Sequence, residues 1–158
     1  MTWLPETASG ATPFARAFGV CPELLAKFEA FAELFWSRRP VDPVVLELCR
    51  LRIAQVLGCD AELAVRRAEA RAAGLTEGRI ATLDGWRDAP DFSAVERACL
   101  AFAEKFTLDP HGVTDADAAA VAAHLSPPEM VAFTEALAVF DGFTRFRLIL
   151  GIEADPAR

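Results

Sequence analysis

An all-helical domain is the fold class that the sequence predicts, and three observations point to it. Apolar residues recur at spacings of three and four through most of the chain, the signature of helices that bury one face. Alanine, the residue with the highest helix propensity, occurs 31 times among the 158 residues. Runs of alternating polar and apolar residues bounded by turn signals are hard to find, so no sheet is expected. The length suits one compact domain, and the chain carries no internal repeat or low-complexity segment.

Taken in order, the first 19 residues read as an irregular arm, broken by Pro5, Gly10 and Pro13, and a single helical domain is expected over residues 20–154. Pro22 suits the first turn of a helix reaching about Trp36, with Leu24, Leu25, Phe28, Phe31, Ala32 and Phe35 as its apolar stripe. From Pro43 to Gly58 nearly every position is apolar except Glu47, Arg50, Arg52 and Gln55, which marks a central helix covered on all sides. A helix over about Asp60 to Ala73 stops at Gly74, where a left-handed cap costs glycine little. Thr76 and Glu77 restart a short one, and the LDGWRDAPDF loop follows with two aromatic anchors. Ser93 with Glu96, and Ser126 with Glu129, are capping boxes; Thr114 caps the helix between them, which carries Asp117 to His124. The last helix carries Met130, Phe133, Leu137, Phe140, Thr144 and Leu148 and ends near Gly151.

Composition excludes several function classes. The formal net charge of -7 and pI near 4.8 argue against nucleic acid or an anionic membrane surface as partner. No apolar run approaches the ~18 residues of a membrane span, and the first 20 residues lack a secretory pattern, so a cytoplasmic protein is expected. The mean hydropathy of +0.25 is high for so small a monomer and predicts an apolar face buried between subunits of a homo-oligomer. Fourteen of the 16 basic residues are Arg, which favours fixed bidentate pairing over amine chemistry. Cys21, Cys49, Cys59 and Cys99 form no C-x-x-C motif, and His111 and His124 lie in other segments, so neither a metal site nor a cofactor is expected.

The chemistry-bearing candidates lie between residues 47 and 66. A carboxylate inside an apolar helix must be paired, neutralised or used, and Glu47 is such a group; its structural alternative is pairing with Arg50 three residues on. Cys59, Glu62 and Arg66 stand at i, i+3 and i+7, on one face of a continuous helix, where Glu62 and Arg66 also suit a simple surface pair.

The string VVLELCRLRIAQVLGCDAELAVRRAEARAAGL, followed by DGWRDAPDFSAVERACLAFAEKFTLDP and SPPEMVAFTEALAVFDGFTRFRLILGI, resembles the carboxymuconolactone decarboxylase and alkylhydroperoxidase D-like family from roughly residue 20 to the end. The resemblance implies a multi-helix, oligomeric domain, a trimer or hexamer. In the thiol-peroxidase branch an acidic residue precedes a C-x-x-C-x-x-x-H motif by twelve positions. Glu47 matches the acid and Cys59 the first cysteine, but Glu62 stands where the attacking cysteine belongs and Arg66 where the histidine belongs. A carboxylate performs no thiolate attack and an arginine relays no proton, so the two-cysteine cycle is ruled out. Glu62 matches the glutamate of the decarboxylase branch, although Ala61, Leu63 and Arg66 depart from that branch's Y-E-W-x-x-H phrase.

The reading favoured is a decarboxylase-like lyase, or binder, for a small carboxylate or lactone. Glu47 and Glu62 are then the acid/base candidates, and Arg66, with Arg52, holds the substrate anion. One alternative is a thiol-dependent hydroperoxide reductase working through Cys59 alone, its thiol activated by Arg52 or Arg66. The other is a non-catalytic oligomeric binding or structural protein.

Overall fold

The structure is a computed structural model and describes residue 4, residue 10 and residues 12–154. Its described residues contain helices and turns and no strand. Nine of the 19 residues of the expected irregular arm lie outside them; within the rest Pro13–Phe18 is not irregular but forms a helix, α1, because the Thr12 hydroxyl accepts from the Ala15 N–H and Pro13 opens the first turn.

Helix α3, Pro43–Leu57, is the axis of the domain. The Asp42 carboxylate caps it by accepting from the Val44 N–H at 2.7 Å, and Gly58 ends it in the left-handed region at φ 68°. All eight residues from Pro43 to Arg50 are buried, Glu47 and Arg50 included. Helices α7 (Ala94–Leu108) and α9 (Pro127–Leu150) pack along α3, and α8 (Asp115–Ala122) closes the far side of α7. The three expected caps are present: Ser93 with Glu96, Thr114 with Asp117, and Ser126 with Glu129 exchange bonds in capping boxes. Trp86 and Phe92 are the buried anchors of their loop. His124 falls beyond the end of α8 and is exposed.

Two expectations change. Helix α2 (Pro22–Ser37) forms where Pro22 predicts, but only Ala32, Phe35 and Trp36 are buried; Leu24 and Phe31, assigned to its core stripe, are 58% and 44% exposed. Among the described residues, helix α2 packs chiefly against α1 and α9. The single helix expected over residues 60–73 is two: α4, Asp60–Leu63, and α5, Ala68–Ala72. Side chains take the backbone groups that a continuous helix would use. Arg50 donates to the carbonyls of Glu62 and Val65, at 2.9 and 2.8 Å, and the Arg67 N–H turns to Glu47 at 3.2 Å. After Gly74, the short α6 (Glu77–Ala81) is capped by Thr76 as expected.

Candidate functional site

In the first half of α3, up to its midpoint, the sequence puts a carboxylate and a guanidinium one turn apart on a helix with no exposed face. Glu47 is 1% and Arg50 3% exposed. They form a bidentate pair, Arg50 Nε to Glu47 Oε2 and Nη2 to Oε1, both 2.8 Å. Arg50 Nη1 donates to Glu62 Oε2 at 2.9 Å, and its two remaining donors go to the Glu62 and Val65 carbonyls. All five N–H groups of Arg50 are thus engaged. Burial works against the Arg50 charge, but Glu47 and Glu62 outweigh it and raise the guanidinium above its ordinary value.

Glu62 sits between two cations. Its other oxygen, Oε1, lies 2.6 Å from Nε of Arg147, which α9 contributes from its last turn. The Arg147 side chain is 6% exposed, its Nη1 reaches the Glu153 carbonyl at 3.4 Å, and its guanidinium lies 4.8 Å from the Phe14 ring centre. The N–H on Nε is not aimed at the carboxylate, so among the described residues this buried donor lacks a hydrogen-bond partner despite the ion pair. Arg67, whose guanidinium lies 5.0 Å from the Trp36 ring centre, also leaves a buried Nε unbonded. Burial first, and then the like charge of Arg50, pull the Arg67 guanidinium below its usual value. Two carboxylates and three guanidiniums therefore gather here.

Beside this network, Gly58–Ala61 and the end of α9 border an open pocket of about 390 Å³, lined by Cys59, Asp60, Arg147, Leu148, Ile152, Glu153 and their neighbours. Cys59 is 2% exposed and begins α4 at the pocket wall. The other thiols are elsewhere: Cys21 is exposed, and Cys49 and Cys99 are in the core, where burial pushes Cys49 well up and Cys99 up to about 12.

The sequence candidates divide accordingly. Glu47 and Glu62 do converge, but on Arg50. Arg66, on the stretch between α4 and α5, turns out to Glu77 at 3.0 Å and to the carbonyls of Leu63 and Val65. Arg52 faces the opposite side of α3, where it meets Glu104 at 2.6 Å and Asp84 at 3.0 Å. There burial works to raise the Glu104 carboxyl, and hydrogen bonds from Arg87, Trp86 and Arg52 outweigh it and hold it below its ordinary range. His111 and His124 are exposed, and no group of three or more His, Cys, Asp or Glu suited to a metal occurs among the described residues. Arg147 is the residue that sequence reasoning missed. Its signal was present: Phe133, Leu137, Phe140 and Thr144 set a buried stripe, and the next position three residues on is Arg147.

The chain is thus an all-helical domain in which Glu47 precedes the pocket residue Cys59 by twelve positions. The chain belongs to the carboxymuconolactone decarboxylase family, whose sequence model matches residues 22–105. It is 32% identical over 119 residues to the uncharacterized protein YnjA of Escherichia coli, covering 75% of this chain and 65% of that one. It is 31% identical over 78 residues to the uncharacterized protein YdfG of Bacillus subtilis, covering 49% and 53%. Each match spans less than two thirds of the relative's own length. In three dimensions the chain is similar to a protein of unknown function from Agrobacterium tumefaciens, named as a candidate antioxidant defence protein AhpD, with TM-score 0.78, 24% identity and coverage of 90% and 97%. It is also similar to a cysteine-to-alanine variant of the debrominase Bmp8 in complex with 2,3,4-tribromopyrrole, with TM-score 0.76, 15% identity and coverage of 88% and 75%. At these identities the two structures share the fold. No helix of the described residues is long and apolar enough to cross a membrane.

Proposed function

We propose that the protein binds, and as a decarboxylase-like lyase acts on, a small carboxylate- or lactone-bearing molecule in the pocket at the ends of α3 and α9. The observation that supports this reading is Arg147, a buried guanidinium that lines the pocket and holds the Glu62 carboxylate. Arg147 takes the anion-holding role expected of Arg66 and Arg52, which are committed to other carboxylates. Glu62, touching Arg147, is the acid/base candidate nearest the pocket, and Glu47 fixes Arg50 beneath it. A decarboxylation needs a cation to seat the acid and a proton exchange at the carbon left behind, roles that this reading gives to Arg147 and Glu62. The four free cysteines accord with a reducing, cytoplasmic setting.

Thermal unfolding with a panel of lactone acids tests the reading. A ligand at 100 times its Kd stabilises by about 2.7 kcal/mol. Arg147→Met is expected to abolish the ligand-induced shift measured from its own baseline, Arg147→Lys to keep part of it, and Arg66→Ala to keep all of it. A shift lost with Arg66→Ala and retained with Arg147→Met overturns the assignment, and no shift with any acid overturns the ligand class.

One observation favours a second reading: Cys59 is a wall of the same pocket. On that reading the Cys59 thiolate attacks the O–O bond of a hydroperoxide and releases the alcohol; one external thiol then converts the sulfenic acid to a mixed disulfide with loss of water, and a second external thiol reduces that disulfide. Brief peroxide treatment followed by sulfenic-acid trapping and mass spectrometry should then label Cys59 ahead of the exposed Cys21. Labelling of Cys21 first removes this reading.

A further inference from the structure

The guanidinium of Arg147 is held from three directions, and one of them comes from the first helix. Glu62 Oε1 lies 2.6 Å from its Nε, and its Nη1 reaches the Glu153 carbonyl at 3.4 Å. The third is the Phe14 ring on α1, over whose centre the guanidinium carbon sits at 4.8 Å. At that distance the electron-rich face of the ring attracts the cation, and it does so more strongly where both are shielded from water. Here Arg147 is buried and Phe14 is half-buried.

Neighbouring rings keep Phe14 in that position. Its ring centre lies 5.6 Å from that of Phe18, edge to face, and 6.1, 6.2 and 6.3 Å from those of Phe28, Phe143 and Phe146. Phe28 in turn stacks on Phe143 at 3.7 Å. The ring over Arg147 is thus tied to α2 and, through Phe143 and Phe146, to the helix that carries Arg147 itself. That tie is needed, because α1 has six residues and is too short to be stable alone. The cluster explains where α1 sits, but packing a phenylalanine there does not by itself call for a cation. Phe18, more deeply buried, meets the rings of Phe14, Phe28, Phe143 and Phe146 with no cation on its face among the described residues.

We infer that Phe14 is a positioning residue for the pocket: its ring fixes the plane of the Arg147 guanidinium, so that the oxyanion of a ligand meets a donor already in place. The ligand half of this inference rests on the reading of Arg147 as the group that holds the anion. An arginine side chain has many rotamers, and ordering it only on binding would weaken the hold on the ligand. Glu62 and the Glu153 carbonyl confine the guanidinium at its edge, which leaves the plane free to rock; a ring against one face removes that freedom. Nη2, which makes no hydrogen bond among the described residues, is then the nitrogen left to donate to the ligand. With one face covered, the ligand meets the guanidinium edge-on, the geometry in which arginine donates to a carboxylate.

Two variants and two readouts test this. Phe14→Leu keeps an apolar side chain in the cluster and removes the ring, whereas Phe14→Tyr keeps the ring. The first readout needs no ligand: NMR relaxation of the Arg147 Nε–H group, assigned by its loss in Arg147→Lys. That group is expected to be as rigid as the α9 backbone in the wild type and in Phe14→Tyr, and to become mobile, like that of the exposed Arg39, in Phe14→Leu. The second readout is calorimetric affinity for the lactone acid γ-carboxy-γ-butyrolactone. Phe14→Leu is expected to raise its Kd about threefold to tenfold, while Phe14→Tyr binds like the wild type. A rigid Arg147 in Phe14→Leu overturns the proposal. So do equal mobility in both variants, which loosening of α1 by any substitution would give, and a Phe14→Leu chain that binds the acid as tightly as the wild type. If the wild type binds no acid while Arg147 is mobile in Phe14→Leu and rigid in Phe14→Tyr, the anion-holding reading falls and the hold of Phe14 on Arg147 stands.

Discussion

Replacing Arg50 by methionine is expected to cost about 3–5 kcal/mol of folding stability, the loss typical when one partner of a buried ion pair is removed and the other is left charged in the interior. The exposures set the scale: Glu47 at 1% has no route to water, and Glu62, at 15%, has little. Methionine fills most of the volume, so the effect isolates charge and hydrogen bonding from packing. The loss should exceed that of an ordinary pair because two donors of Arg50 hold the carbonyls of Glu62 and Val65, and with them the broken stretch between α4 and α5. Combining Arg50→Met with Glu47→Leu removes the stranded carboxylate and should recover part of the loss, but not the part owed to those carbonyls. Arg66→Ala, at a pair whose Glu77 is 58% exposed, should change stability by less than about 1 kcal/mol. Urea unfolding monitored by tryptophan fluorescence measures all three variants. A single Arg50→Met loss no larger than that of Arg66→Ala would show that Glu47 and Glu62 find other partners.

What the sequence made legible divides along the same line between local and tertiary causes. The helices α3, α7 and α9 were readable because their starts are written in side chains: Asp42-Pro43, Ser93 with Glu96, and Ser126 with Glu129 satisfy backbone groups within a few residues. The Glu47–Arg50 pair was readable as the structural alternative, since two opposite charges one turn apart in an otherwise apolar helix have nowhere else to go. The break at residues 64–67 was not, because the alanine-rich segment has high helix propensity and the force that opens it comes from Arg50, over a dozen residues away. With the helix broken, Arg66 leaves the face it was expected to share with Cys59 and Glu62. Arg147 was obscured by a local ambiguity. After Thr144 the buried stripe can continue at three or at four residues, and hydropathy favours Leu148; the Glu62 carboxylate decides for Arg147, and Leu148 is left 44% exposed.

The second large effect is expected at Trp36, where truncation to alanine should cost about 3–5 kcal/mol through lost burial and the cavity left behind. Trp36 is 1% exposed, packs 5.9 Å from the Phe140 ring and carries the Arg67 guanidinium on its face. Its position makes the loss uneven across the fold. Only Ala32, Phe35 and Trp36 are buried in α2, so the helix is held chiefly at its C-terminal end. Without the indole, α2 should open in local events well below the global unfolding free energy, and its amides should exchange far faster than those of α3. Arg67 loses its ring at the same time, and the N–H it directs to Glu47 is weakened, which ties α2 to the buried charges beneath the pocket. Leu24→Ala, at 58% exposure on the same helix, should change stability by no more than about 0.5 kcal/mol. Hydrogen exchange of the two variants separates the cases: uniform loss of protection in Trp36→Ala would mean that α2 unfolds only with the whole domain, and that its anchoring extends beyond these three side chains.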